Sequence, residues 1–263
     1  VQITDNAGND SDPSWSGDGK LIYFLSNRSG DTQLWSIDPL SKVMSQMSSV
    51  EGGIDGYGVT AQGDKAFYVK QVHVEKRASS EIYADLDKSK ALIYDDLMAR
   101  HWNYWDRGDH YHIFISNIWE GKLDEGKDIM PGEPWDAPMA PYFDVHEISW
   151  NNTGTQLAYT CKKQVGTQYA QSTDSDIYLY DVASGNTKNL TEGMPGYDKY
   201  PTFSPDDSKI AFHSMRRPGN ESDKDRLFVV DIVTGEKSYL TKDFDYNAEN
   251  LVWDGNSAIL FIA

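Results

Sequence analysis

Few side chains in this 263-residue sequence combine the type and the spacing that chemistry demands. His110 and His112 stand two apart, so in an extended segment both project from one face and could offer two imidazoles to a metal. No third ligand follows at a suitable spacing, so a packing pair is expected, with no metal and no cofactor. Asp5, Asp10 and Asp12 have the oxygens of a calcium loop but neither its spacing nor its closing glutamate, which leaves a solvated loop. Glu221 and Asp223 form a pair of carboxylates two apart with Arg217 just upstream, and Arg100 lies in an aromatic stretch with Trp102 and Trp105. His146 and Glu147 are a further adjacent pair of ionisable groups. The Gly-x-Ser-x-Gly elbow that exposes a serine nucleophile between a strand and a helix does not occur, so no catalytic residue is expected in this chain. Cys161 is the single cysteine; it allows no internal disulfide, and its place in an apolar run predicts a small buried group. Asn27, Asn151, Asn189 and Asn220 open Asn-x-Ser/Thr sequons, a short pattern that arises often by chance.

The elements that must position these residues are short strands. Pro201-Thr202-Phe203-Ser204-Pro205-Asp206-Asp207 carries an apolar strand end into a Pro/Asp turn, and 209–213 returns with Ile210 and Phe212 on one face. Residues 227–231 and 237–241 add two more strands across Thr234-Gly235-Glu236. Four antiparallel strands in about 45 residues, with polar turns, make one blade of a β-propeller. The unit recurs: Pro13-Ser14-Trp15 through Leu21-Ile22-Tyr23-Phe24, a degraded copy from Tyr57-Gly58-Val59, Ile148-Ser149-Trp150 through Leu157-Ala158-Tyr159, and a last opening at Leu251-Val252-Trp253. Equivalent first-strand positions fall 44 to 53 residues apart except for one step of 91, between Val59 and Trp150.

The expected fold is therefore all-β: a partial propeller of about four complete blades plus parts of two, at about 12–50, 55–131, 145–191 and 198–241, with another starting at 248–263. The long step contains no second hairpin opening, so residues 72–109 are expected to be an insertion in the second blade. Leu92, Ile93, Leu97, Met98 and Trp102 recur at near-helical spacing and predict a short helix within 91–105. Val1-Gln2-Ile3-Thr4-Asp5 resembles a closing strand, because Asn189-Leu190-Thr191 and Tyr239-Leu240-Thr241 close their blades in the same way. Radial sheets protect their edges by packing on neighbours, so a longer parent chain is expected.

The balance of 24 basic against 41 acidic residues, net −17, repels nucleic acid and anionic membrane surfaces, and neither is expected as a partner. No stretch has the length of an apolar membrane helix.

Arg216-Arg217-Pro218-Gly219-Asn220-Glu221-Ser222-Asp223, after Ile210-Ala211-Phe212, together with Leu97-Met98-Ala99-Arg100-His101-Trp102-Asn103-Tyr104-Trp105, resembles the propeller domain of the prolyl oligopeptidase family of serine peptidases. Within that family it is similar to the dipeptidyl peptidase V and acylaminoacyl peptidase branch. Phe244-Asp245 before Leu251-Val252-Trp253 fits the same pattern, and the resemblance covers essentially the whole chain. The repeats alone occur equally in periplasmic TolB-like propellers; the Arg-His-Trp and Arg-Pro-Gly-x-Glu-x-Asp stretches carry the specificity. Asn220 and Ser222 stand where the family usually has an aromatic and an alanine, and Asp207 replaces a turn glycine.

What the resemblance implies is a propeller that caps a C-terminal α/β-hydrolase domain of the same chain, restricts entry to short peptides, and acts in the periplasm or outside the cell. An enzyme that removes dipeptides must hold a free α-ammonium, which a carboxylate does by charge-assisted hydrogen bonds. The resemblance points first to Glu221, then to Asp223, with Arg100 on a substrate carbonyl or on the carboxylates and Trp102 and Trp105 as walls. The other reading of Arg217, Glu221 and Asp223 is a network that stiffens a long loop. A free-standing, TolB-like protein-binding propeller is the alternative function.

Overall fold

A computed structural model describes residues 2–263 and shows consecutive antiparallel sheets packed side by side as propeller blades. The first sheet runs Asp10–Trp15, Ile22–Ser26, Gln33–Ile37 and Met44–Gln46 in simple up-and-down order. In the second, Gly56–Val59 pairs with the long strand Lys65–His73, which pairs with Asp109–Trp119; the short strands Lys122–Leu123 and Lys127–Asp128 complete it. The third comprises Ile148–Trp150, Gln156–Cys161, Asp176–Asp181 and Thr187–Asn189, the fourth Asp198–Phe203, Lys209–Ser214, Arg226–Asp231 and Lys237–Tyr239. Glu249–Asp254 and Ala258–Ile262 form a two-stranded sheet.

The core is divided into wedges, one between each pair of neighbouring sheets. Along Gln156–Cys161, Leu157, Tyr159 and Cys161 pack toward Phe67, Val69 and Ile113 of the second sheet, while Ala158 packs toward Phe203, Ile210 and Phe212 of the fourth. A strand with period-two side chains that is buried on both faces must be apolar at successive positions, and this explains its continuous hydrophobic run. Cys161 is fully buried there, as its setting predicts.

Turn chemistry sets the hairpins. Gly19, Gly63 and Gly154 occupy the left-handed region at φ 68°, 69° and 64°, and Asp207 takes the equivalent place in the fourth sheet at φ 59°. Aspartate tolerates that region better than most residues. Its carboxylate also accepts from Asn152 N at 2.8 Å and Thr153 N at 3.0 Å, tying the turn to that of the preceding blade. The missing glycine is thus replaced by a clamp between blades.

Two expectations fail locally. Residues 91–105 are not helical: the chain forms a bridge at Leu92 and a miniature hairpin of Arg100–His101 with Tyr104–Trp105. The insertion's one helical turn lies earlier, at Ser79–Ile82, where Glu81 accepts from Ala78 N at 2.9 Å to cap it. Of the apolar residues spaced through 91–105, Leu92, Ile93 and Met98 are partly covered, while Leu97 and Trp102 are largely exposed. Residues 2–5 form no strand, and Val1 lies outside the described residues. Among the described residues no helix is long and apolar enough to cross a membrane.

Candidate functional site

The insertion leaves the second sheet after His73 and re-enters at Asp109, its two ends tied by Val74 N and Glu75 N donating to Gly108 O at 2.8 and 3.1 Å. Its hairpin turns at Trp102, which has φ 50° and meets Tyr142 edge-on at 5.5 Å. The insertion tip thereby reaches the connection between the second and third sheets. Beneath it lies a cleft of about 850 Å³, closed on the other side by the helix Gly166–Gln171, the start of Asp198–Phe203 and the loop at Glu221. An adjoining recess of about 860 Å³ shares Met98, His101 and Tyr169 with it.

A β-bulge aims one wall of the cleft. The register of Asp198–Phe203 shifts between Lys199 and Thr202, and Tyr200 sits at φ 58°, a conformation costly for a bulky side chain. Asp12 and Asn250 hold the same place at bulges of the first and last sheets, at φ 51° and 52°. The bulge is therefore a repeated device, and in the fourth blade it turns an aromatic ring into the cleft.

The floor is Glu147, only 2% exposed, at the end of a short helical turn that Asp144 caps by accepting from His146 N. Its carboxylate accepts from Met139 N and from the Tyr197 hydroxyl, both at 2.9 Å. Burial outweighs these bonds and pushes its pKa up to about 7. Burial also pushes the Tyr197 phenol far up, which keeps it a donor. Lys199 lies across the Tyr197 and Tyr200 rings at 4.7 and 5.4 Å and pairs with Asp225 at 3.4 Å. Lys162 donates to Tyr169 O at 2.6 Å with its ammonium 4.0 Å from that ring, and burial lowers its pKa to about 8 despite the opposing charge of Glu221. The cleft is thus a half-buried site with one carboxylate poised near neutrality, two lysines and a tyrosine cage. It has the groups to bind a small charged ligand, and no nucleophile among them has an adjacent general base.

The residues singled out from sequence are only partly gathered here. Glu221 lies exposed among the residues that line the cleft, which include His101 of the insertion. Asp223 turns away: it accepts from Arg216 N and Arg217 N at 3.1 and 2.9 Å and pairs with the exposed Arg217 guanidinium at 3.0 Å, so this pair braces its own loop. Those bonds from Arg217 hold the Asp223 pKa at about 2. Arg100 is exposed and stacks on Trp105 at 5.5 Å, and Trp102 is 62% exposed at the hairpin turn; neither lines the cleft. His146 and Glu147 do not act together, because His146 points to solvent and bonds Asp144 at 2.8 Å. The contribution of Glu147 itself was legible only as a carboxylate at the start of a first strand; Tyr197, Lys199, Tyr200 and Lys162 gave no signal, since they meet only across blades.

His112 is fully buried, with its ring bonded to Asp128 at 2.8 Å and to Glu133 O at 2.9 Å, and His110 faces Glu75 and Asp136. Each ring is thus set among groups of the protein itself, and among the described residues no cluster of metal-ligating side chains occurs. Asp10 is engaged by Arg28 at 2.8 and 2.9 Å. Asn151 is 3% exposed and fixes its own turn, so its sequon is closed to a glycan in the folded chain.

Sheets packed side by side as blades, with an inserted segment over a ligand-sized cleft, define a β-propeller. No family model matches the chain. Among curated proteins, a dipeptidyl-peptidase 5 of Porphyromonas gingivalis is 43% identical over all 263 residues, and one of Porphyromonas endodontalis is 41% identical over 87% of the chain. The chain spans 38% and 33% of the length of those two relatives. Among solved structures, the acylaminoacyl peptidase of Pyrococcus horikoshii is alike in fold, with a TM-score of 0.62 at 18% identity over 96% of this chain and 35% of its own. The chain belongs to the propeller domains of the prolyl oligopeptidase family, similar in sequence to the dipeptidyl-peptidase 5 proteins and in fold to acylaminoacyl peptidase.

Proposed function

We propose that this chain is the recognition and gating propeller of a serine exopeptidase, and that its cleft receives the free amino end of a short peptide. The relatives bear the name dipeptidyl-peptidase 5, and such an activity needs a partner for an α-ammonium. The observation that carries the reading is the placement of Glu147 at the cleft floor and Glu221 at its rim, both facing the space under the insertion. A buried carboxyl that is half protonated near neutrality gains most from an arriving ammonium, which restores its charge and pairs with it. Glu221 provides the outer carboxylate, while Arg100, Trp102, Arg217 and Asp223 keep the surrounding loops in shape. The Ser, Asp and His of acyl transfer belong, in this proposal, to an α/β-hydrolase domain of the same protein, which acts in the periplasm or outside the cell.

The test is hydrolysis by the full-length protein of dipeptidyl substrates with a free amine and of their N-acylated counterparts, for wild type, Glu221→Gln and Glu147→Gln. A preference for the free amine that collapses in either variant, with the fold retained, supports the reading. An unchanged preference in both refutes the cleft assignment. Absence of any hydrolysis by the intact wild type refutes the peptidase and favours the binding-module alternative.

A further inference from the structure

Two histidines at the root of the insertion are each placed between two carboxylates. In the antiparallel pairing of Lys65–His73 with Asp109–Trp119, His73 stands opposite Asp109 and Val72 opposite His110. Cross-strand partners share a face and successive residues alternate, so the two imidazoles lie on opposite faces of the sheet, at the step where the chain departs. His73 meets Asp109 through Nδ1 and Glu81 through Nε2, both at 2.8 Å, and Glu81 belongs to the insertion's own helical turn. On the other face His110 bonds Glu75 of the insertion through Nε2 at 3.3 Å, while its Nδ1 stands at ion-pair distance, 3.5 Å, from Asp136 of the connection without a formed hydrogen bond. The insertion is thereby held on both sides of the sheet from which it springs.

A neutral imidazole carries one N–H and can donate to only one of two flanking carboxylates; the imidazolium donates to both. Glu75 retains Arg77 at 2.9 Å and Asp136 retains Tyr111 N at 2.8 Å whichever form is present, so the proton on His110 decides only the bridge between them. Glu81 likewise retains its cap on Ala78 N, and the proton on His73 decides whether the helical turn is tied to the sheet. We propose that His73 and His110 form a pH-sensitive double latch that fastens the insertion to both faces of the second blade, closed when both rings are charged and loosened when they are not.

The electrostatics agree in sign. The hydrogen bond to Asp109 raises the pKa of His73, and with the charges of Glu81 and Asp109 it outweighs the opposing effect of burial. Burial works against the charge of His110, and Asp136 and Glu75 outweigh it, leaving its pKa raised as well. Groups whose affinity for a proton is higher in the latched state stabilise it fully below their ordinary value of 6.5 and lose that contribution as pH rises above it. The consequence falls on the clefts, because the insertion contributes Leu97, Met98 and His101 to their walls.

Amide hydrogen exchange on the full-length protein, corrected for intrinsic rates and followed from pH 6 to pH 9, tests the latch. Two ion bridges of modest strength, one at the surface on His73 and one largely buried on His110, predict a loss of protection of roughly tenfold in segment 76–107, with the blade strands unchanged. In the doubly substituted His73→Gln, His110→Gln protein that segment should show low protection with no such pH dependence. A wild-type segment whose protection does not move with pH, or a pH dependence that persists in the double variant, overturns the proposal. Histidine NMR titration of the wild type decides the matter if the double variant does not fold: two rings titrating above 6.5 support the latch, and ordinary or lower values for His73 and His110 overturn it. Neither measurement uses peptidase activity, so the outcome is independent of the proposed function.

Discussion

Replacing Glu147 by glutamine should make the protein more stable at pH 8 and slightly less stable at pH 4.5. The carboxyl is buried at the cleft floor, and the folded chain raises its pKa from 4.5 to about 7. Since the folded state binds this proton more tightly than the unfolded chain, its contribution is complete below pH 4.5, falls as pH rises to about 7, and is constant above. At about 1.4 kcal/mol for each tenfold change in proton affinity, the span is worth about 3 kcal/mol. An amide keeps a carbonyl to accept from Met139 N and adds a donor that the Tyr197 hydroxyl can turn to accept, so roughly 1 kcal/mol of that gain is lost to imperfect bonding. Asp198, wholly buried and raised from 3.8 to about 7, titrates over nearly the same range, so the wild-type profile alone is ambiguous. The difference between wild type and Glu147→Gln isolates one group. Urea unfolding of both proteins at half-unit steps from pH 4.5 to 8.5 measures it. Parallel profiles, with a constant difference across the range, would refute the assignment of Glu147 as a buried, neutralised carboxyl and with it the argument that an ammonium is welcome there.

Gly108→Ala should cost at least about 2 kcal/mol and raise proteolysis of the insertion, because a Cβ at φ 82° would stand 1.8 Å from Glu75 O, which is backbone and has nowhere to go; a melting temperature within one degree of wild type would contradict this packing. The Cys161 thiol, fully buried and with its pKa pushed far up by desolvation, should resist alkylation at pH 8 in the folded protein and react at once in denaturant, as thiol titration will show.

The blade repeat was legible in the sequence because it rests on local rules: period-two apolar runs, polar turns with a left-handed residue, and a spacing that recurs. Ile210, Phe212 and Leu157 are core for the reason their pattern gives, and Cys161 is buried with them. The insertion was visible as a step too long to be one blade. Its internal structure was not, because Leu92 and Met98 answer to surfaces contributed by other segments rather than to a helix axis, and residues 91–105 took a bridge and a miniature hairpin instead. Glu221 and Asp223, adjacent in pattern, were separated by a hydrogen-bonding preference that no spacing encodes: Asp223 satisfies two amides and a guanidinium of its own loop, and Glu221 is left at the rim. Glu147 acquired its character only when Tyr197 of the next blade, the insertion and the connection at Met139 closed over it. Local periodicity and turn chemistry are written into neighbouring residues, so the sequence alone determined the blades. Burial and proton affinity depend on what other segments bring to a side chain, so only the tertiary structure decided which of the acidic residues form a site.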